Sequence, residues 1–254
     1  VYIACSTLCF ARHPLEHALR AIVELQFTKF DLALHEGGRH LKPSEVEADV
    51  NAAAARLRLG PGLAPAAFSV EIDADDPEVY ERRFTAVCRL ARLVLVPVVS
   101  VTPAPAGGPP DAEARRLTRL TALAAKEGVQ LTAATAVGAL TENPEAAADL
   151  CRRVPGLGLA LDPSCYVAGP HRGRPFDQVY PCVRHVRLRD SGRGPDQFQV
   201  RVGQGEVEYG RIVSQLARCR YDRLLTVDIR DVPDAPFAMA PEVRKLKYLL
   251  ESLV

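Results

Sequence analysis

A chain of 254 residues that is 48% hydrophobic and 25% charged has the size and apolar content of one domain with a full core. Its net charge of +1, with acids and bases interspersed, excludes the concentrated basic face that a nucleic-acid partner requires. No apolar run reaches membrane-spanning length, the amino terminus lacks the charged-then-apolar layout of a signal peptide, and the seven cysteines are odd in number with no Cys-x-x-Cys pair. The expectation is a cytoplasmic protein whose cysteines are mostly buried small hydrophobes.

In chain order, Tyr2 to Thr7 is a short apolar run that predicts a first strand, and Pro14 to Leu25 predicts a helix with Leu15, Ala18, Leu19 and Ile22 on one face. Asp31 to His35 is the second strand. The capping-box sequence Ser44-Glu45-Val46-Glu47 starts a helix running to about Leu59, which Gly60 to Pro65 breaks. Ala67 to Ile72 reads as strand three, and Asp76 followed by Pro77 starts a helix to about Arg92. Leu93 to Ser100 is nearly continuously apolar, as a strand buried on both faces should be. After a proline- and glycine-rich loop from Thr102 to Pro110, Asp111 starts a helix that stops at Gly128. Val129 to Ala134 is strand five, Asn143-Pro144 opens the next helix, and Leu157 to Leu161 is strand six. Leu224 to Ile229 is strand eight, and Pro241 to Leu253 closes the chain as a helix.

Between them lies the stretch from Val183 to Leu216. Val183 to Arg189 alternates apolar and polar residues, which places His185, Arg187 and Arg189 on one strand face and Val186 and Leu188 on the other. Asp190 to Gly205 is a polar, glycine-rich loop, and Tyr209 to Leu216 resumes helical spacing. Strands alternating with helices along the whole chain predict a single closed (β/α)8 barrel over residues 1–254, the TIM-barrel form of the α/β class.

The sequence His185-Val186-Arg187-Leu188-Arg189-Asp190, followed by Gly203-Gln204-Gly205, resembles the seventh βα unit of the xylose-isomerase-like TIM barrels, the sugar (phosphate) isomerase/epimerase superfamily. Members typically show His-x-His-Leu-Lys-Asp and then Gly-x-Gly-x-x-Asp. The resemblance implies a site at the carboxyl ends of the strands, holding one divalent metal through a Glu, an Asp, a His and a second Glu from strands five to eight. This chain departs from that set. Ala134 stands at the first glutamate, Asp162 is retained in Asp162-Pro163-Ser164-Cys165, where Cys165 replaces a partner histidine, Arg187 replaces the ligand histidine, and Asp228 replaces the second glutamate. Endonuclease IV type nucleases share the fold but need a histidine-rich cluster of three metals, and six scattered histidines do not supply one.

A guanidinium cannot ligate a metal and repels a divalent ion, so the expectation is no cofactor; one divalent metal is the alternative that the resemblance carries. Arg187 is expected between Asp162 and Asp228 as a salt-bridged plug. Two functions stay open. One is a pseudoenzyme or binding protein for a carbohydrate-like small molecule, a sugar or sugar acid, with Arg187, Arg189, Asp31, Cys165, Arg172 and Gln204 as ligand-binding candidates. Of these, Arg172 lies in the loop after strand six, and Cys165 is a mouth thiol that neighbouring arginines could acidify. The other is an active isomerase or epimerase on a carbohydrate or sugar phosphate, with Asp162, Asp228 and His35 as the acid/base set.

Overall fold

The computed structural model describes residues 1–58, 62–194, 197–233 and 235–254. Eight parallel strands, β1 (Tyr2–Ser6), β2 (Lys29–His35), β3 (Ala64–Glu71), β4 (Val98–Val101), β5 (Gln130–Ala134), β6 (Gly158–Leu161), β7 (Val183–Leu188) and β8 (Leu224–Val227), follow one another around a closed barrel. Closure is made by β8 against β1, with Tyr2 opposite Leu224 and Cys5 opposite Val227. The expected (β/α)8 barrel is what the chain forms.

The helices in chain order are α1 (Leu15–Glu24), α2 (Pro43–Ala48), α3 (Val50–Arg56), α4 (Pro77–Leu93), α5 (Pro110–Lys126), α6 (Pro144–Arg153), α7 (Ser164–Ala168), α8 (Tyr209–Arg218) and α9 (Met239–Glu251). Each long helix lays an apolar stripe on the strands: in α1, Leu15, Ala18, Leu19 and Ile22 are all fully buried. None of the helices among the described residues is long and apolar enough to cross a membrane.

Several boundaries differ from expectation for physical reasons. The apolar run from Leu93 is not one strand: Leu93 ends α4, Leu95 turns at φ 60° and is 87% exposed, and β4 begins only at Val98. The expected helix from Ser44 is two helices. Asp49 takes an extended conformation (φ −153°, ψ 97°) and its carboxylate accepts the amide of Ala52 at 2.9 Å, capping α3. Its expected end at Leu59, and the break at Gly60, lie outside the described residues, while Ala64 and Pro65 already belong to β3. Strand one stops at Ser6 because Thr7 to Phe10 winds into a 3-10 turn, capped by the Ser6 hydroxyl. The short α7 directly after β6 was not expected from the sequence.

Candidate functional site at the barrel mouth

The inward face of β7 carries three charged or titratable side chains in a row, since side chains alternate along a strand and every second one meets the barrel axis. His185, Arg187 and Arg189 are 0%, 6% and 9% exposed. They divide into two groups. His185 Nε2 lies 2.8 Å from Asp31 Oδ2 and Arg187 Nε donates to the same oxygen at 3.2 Å, so one aspartate of β2 holds both side chains. Arg189 forms the next pair outward: its Nη2 is 2.6 Å from Asp162 Oδ2 and its Nη1 3.7 Å from Asp228 Oδ2. Both contacts are ion pairs, the second too long for a hydrogen bond.

The expected plug of Arg187 between Asp162 and Asp228 is therefore corrected: Arg189 occupies that place. Register explains the shift. Arg187 is level with Thr226 on β8, so Asp228, two residues farther along, is level with Arg189, and its amide extends the ladder by donating to Leu188 O at 2.8 Å.

Asp162 is fixed from below and beside. Its amide donates to Thr135 Oγ1 at 2.7 Å, and its carboxylate accepts the amide of Ser164 at 3.0 Å and the Ser164 hydroxyl. These bonds seat Asp162 at the turn into α7. Asp228 differs: it is 1% exposed, yet neither carboxylate oxygen makes a hydrogen bond to a described residue. Arg187 Nη2 and Arg189 Nη1 are likewise buried donors without a hydrogen-bond partner there. Donors and an acceptor left over in one place fit a ligand group that can both give and take a proton, and a hydroxyl is such a group.

Burial alone would raise the Asp31 carboxyl, but the Arg187 charge and the hydrogen bond from His185 outweigh it and hold Asp31 below its usual value of 3.8. Arg187 is correspondingly raised, since burial is outweighed by Asp31, Asp228 and Asp162. His35 Nδ1 lies 3.3 Å from Glu71 Oε2. Burial nonetheless lowers the His35 pKa from 6.5, with Arg187 and Arg230 pushing the same way, so the contact is a neutral imidazole beside a carboxylate rather than an ion pair at pH 7.

Two cavities open here. The outer one, about 350 Å3, is lined by Thr135, Val137, Asp162, Cys165, Arg189, Phe198, Gln199, Arg230 and Val232 among others. The inner one, about 40 Å3, sits among His35, Glu71, Asp162, Arg187, Arg230 and the alanines 134, 136 and 160. Ala134 thus faces the site as the strand pattern requires, and its small side chain helps leave the inner space.

Two of the other sequence candidates lie away from the mouth. Arg172 is exposed, donates to Arg193 O at 3.0 Å and lines a separate cleft of about 1030 Å3 with Arg174, Phe176 and Arg211. Gln204 is exposed and lines neither mouth cavity; its amide closes a turn onto Arg201 O at 2.9 Å. Cys165 does line the outer cavity, but burial and the neighbouring Asp162 push its thiol well up, against the expected acidification. Arg230 was missed. It touches both cavities, and the alternation Thr226, Asp228, Arg230 at the end of β8 is the signal that would have found it. Its backbone is clamped by Gln199, whose Oε1 accepts the Arg230 amide at 2.6 Å and whose Nε2 donates to Arg230 O at 2.9 Å.

A closed parallel barrel with titratable side chains gathered at the carboxyl ends of its strands defines a TIM barrel of the kind that carries its chemistry at the mouth. Residues 19–249 match the family model described as xylose isomerase-like TIM barrel, and the chain belongs to that family. Solved structures with the same fold include a D-tagatose 3-epimerase-like protein, 16% identical with a TM-score of 0.75. They also include a xylose isomerase-like TIM barrel protein from Mycobacterium smegmatis in complex with magnesium, 17% identical with a TM-score of 0.76. A third is a D-allulose 3-epimerase from Methylomonas sp., 12% identical with a TM-score of 0.74. Each alignment covers 100% of this chain and 98% of the other. Identities this low establish the shared fold. No curated protein sequence matches the chain.

Proposed function

We propose that this barrel binds a carbohydrate-like small molecule in its mouth without a divalent metal, as a pseudoenzyme or binding protein derived from the sugar isomerase/epimerase scaffold. The observation that carries the reading is the guanidinium of Arg189 between Asp162 and Asp228, the two carboxylates that survive from the family's ligand set. A divalent ion held by those aspartates would stand within a few ångströms of a fixed positive charge, a repulsion of several kcal/mol in a partly buried site. The donor set fits poorly as well: among the described residues no group of three or more His, Cys, Asp or Glu is placed to hold a metal. A carbohydrate is supported by the donors and acceptors that line the outer cavity together, Arg189, Gln199 and Thr135 with Asp162, which hydroxyls would satisfy. The outer cavity, about 350 Å3, falls in the range of about 300–1,000 Å3 that small-molecule sites occupy. A cytoplasmic location and the absence of a nucleic-acid partner rest on the odd cysteine count and the near-zero net charge.

An active isomerase or epimerase working through Asp162, His35 and Asp228 is the second reading. It is favoured by His35 and Asp162 lining one cavity, with His35 neutral and able to take a proton. Against it, that cavity is only about 40 Å3, well under the size of a sugar site, and Asp162 is already engaged by Arg189 and Ser164.

Calorimetric titration of monosaccharides into chelator-treated protein tests the proposal. Binding in the presence of chelator is expected. Binding that appears only after Mn or Zn is restored, or a crystal with a metal coordinated by Asp162 and Asp228, would overturn it.

A further inference from the structure

Most of the charges at the mouth can be paired off. Arg187 is committed to Asp31, Arg189 to Asp162 and Asp228, and His35 is neutral beside Glu71. What remains is one carboxylate, Glu71, half-exposed beside its neutral imidazole, and one cation, Arg230. The arginine is exposed, it borders both cavities, and no carboxylate among the described residues lies within ion-pair distance of it. Its position is nonetheless built, since Gln199 holds the backbone on both sides of its peptide unit.

Beneath this cation the cavity has a second feature that asks for a ligand. Arg189 is buried, and its Nη1 faces Asp228 without a hydrogen-bond partner. Val137, Phe198 and Val232 form an apolar side to the same space. Among the described residues the arrangement from rim to floor is therefore a guanidinium outside ion-pair distance of any carboxylate, an apolar wall, and a floor of polar groups that both donate and accept.

We propose that the ligand is an acidic monosaccharide, a uronate or aldonate, whose carboxylate pairs with Arg230 at the rim while its hydroxyls reach Asp162 and Arg189 on the floor. The inference rests on the function proposed above and names its ligand class. A guanidinium presents two parallel N–H donors that match the two oxygens of a carboxylate. A phosphate, which carries more charge and a third acceptor oxygen, would call for further donors that the described residues of the rim do not bring together. The apolar side suits the C–H face of a sugar ring.

Calorimetry with chelator-treated protein tests the assignment, using D-glucuronate and D-gluconate against D-glucose and glucose 6-phosphate as probes. The acids are expected to bind at least tenfold more tightly than glucose. Arg230→Gln, a surface change whose folding is verified by its melting temperature, is expected to lose that advantage, so that the acids bind no more tightly than glucose. Arg230→Lys should retain part of it, because the charge survives and the fork does not. Metal-free glucose binding equal to that of the acids, or acid binding indifferent to Arg230→Gln, overturns this inference and leaves the proposed function standing. Tighter binding of the phosphate ester than of either acid overturns the carboxylate assignment. If none of the four binds until Mn is added, the proposed function falls with it.

Discussion

Arg187 and Arg189 stand two residues apart on one strand face and yet secure different parts of the barrel, and the difference is testable by removing one charge at a time. Arg187→Ala leaves Asp31 buried with only His185 for company, and breaking a buried pair costs about 3–5 kcal/mol. Urea denaturation should show that loss, and adding Asp31→Asn should recover much of it, whereas Asp162→Asn or Asp228→Asn should not. Rescue by the latter two and not by the former would put Arg187 back in the place that Arg189 holds. The same pair sets an acid limit. Asp31 has a folded pKa below its usual 3.8, so its contribution is complete above that value and disappears as pH falls through the lower, folded pKa. Wild-type stability should therefore drop more steeply below pH 3.8 than that of Arg187→Ala, in which the depressing charge is gone. Alternation in β7 made the three inward residues legible in the sequence, while Asp162 and Asp228 were marked by the resemblance to the family's ligand positions. Which arginine meets which aspartate was not legible, because it depends on the stagger between strands around the barrel and on how far a guanidinium reaches across it.

At the scale of an element, the loop between β7 and α8 is organised by one side chain. Asp190 Oδ2 accepts the amides of Gly203 at 2.7 Å and Gly205 at 3.2 Å, and Oδ1 accepts those of Ser191 at 3.0 Å and Val207 at 3.4 Å. A Cβ at position 205 would collide with the Asp190 carboxylate and the Ser191 carbonyl, and Gly203 sits at φ 82°, where side chains are strained. The sequence showed Gly-x-Gly as a turn but not that the preceding aspartate is what the turn wraps around. The loop also builds the mouth: Arg189 Nε and Ser191 Oγ both donate to Phe198 O, at 3.2 and 2.7 Å, placing Phe198 on the cavity wall. Gly205→Ala should lower stability by about 1–3 kcal/mol, the cost of leaving buried polar groups unmatched, and should weaken ligand affinity with it. A melting temperature within error of wild type would show that the carboxylate is not holding the loop. Strand order and most of the helices were legible because turn residues punctuate the chain; α7 and the split at Asp49 were not. The misread run from Leu93 to Ser100 shows the limit: a helix end, an exposed turn and a strand can all be apolar in sequence, and only tertiary packing separates them.

At the scale of the whole molecule, the question is whether the family's metal site can be rebuilt on this barrel. The strand ends lie where the fold puts them: Ala134 borders the inner cavity together with Asp162 and Arg187, and Asp228 lies beside Arg189. By sequence alone, Ala134→Glu, Arg187→His and Asp228→Glu, with Asp162 retained, would supply a Glu, Asp, His, Glu set. The structure adds an obstacle that the sequence did not display. Arg189 would still hold Asp162 at 2.6 Å, so the ion would have to displace a guanidinium to reach one of its ligands. The triple variant is therefore expected to fold without gaining metal affinity, and adding Arg189→Gln is expected to release both carboxylates and create a binding site. Mass action makes this visible as stability, because an ion present at about 100 times its Kd raises the folding free energy by about 2.7 kcal/mol. Thermal melts with and without millimolar MnCl2 should leave the wild type and the triple variant unmoved and shift the quadruple variant upward. A triple variant that binds as tightly as the quadruple would mean that Arg189 swings clear of Asp162, and the argument for a guanidinium standing where the family holds its metal would fail.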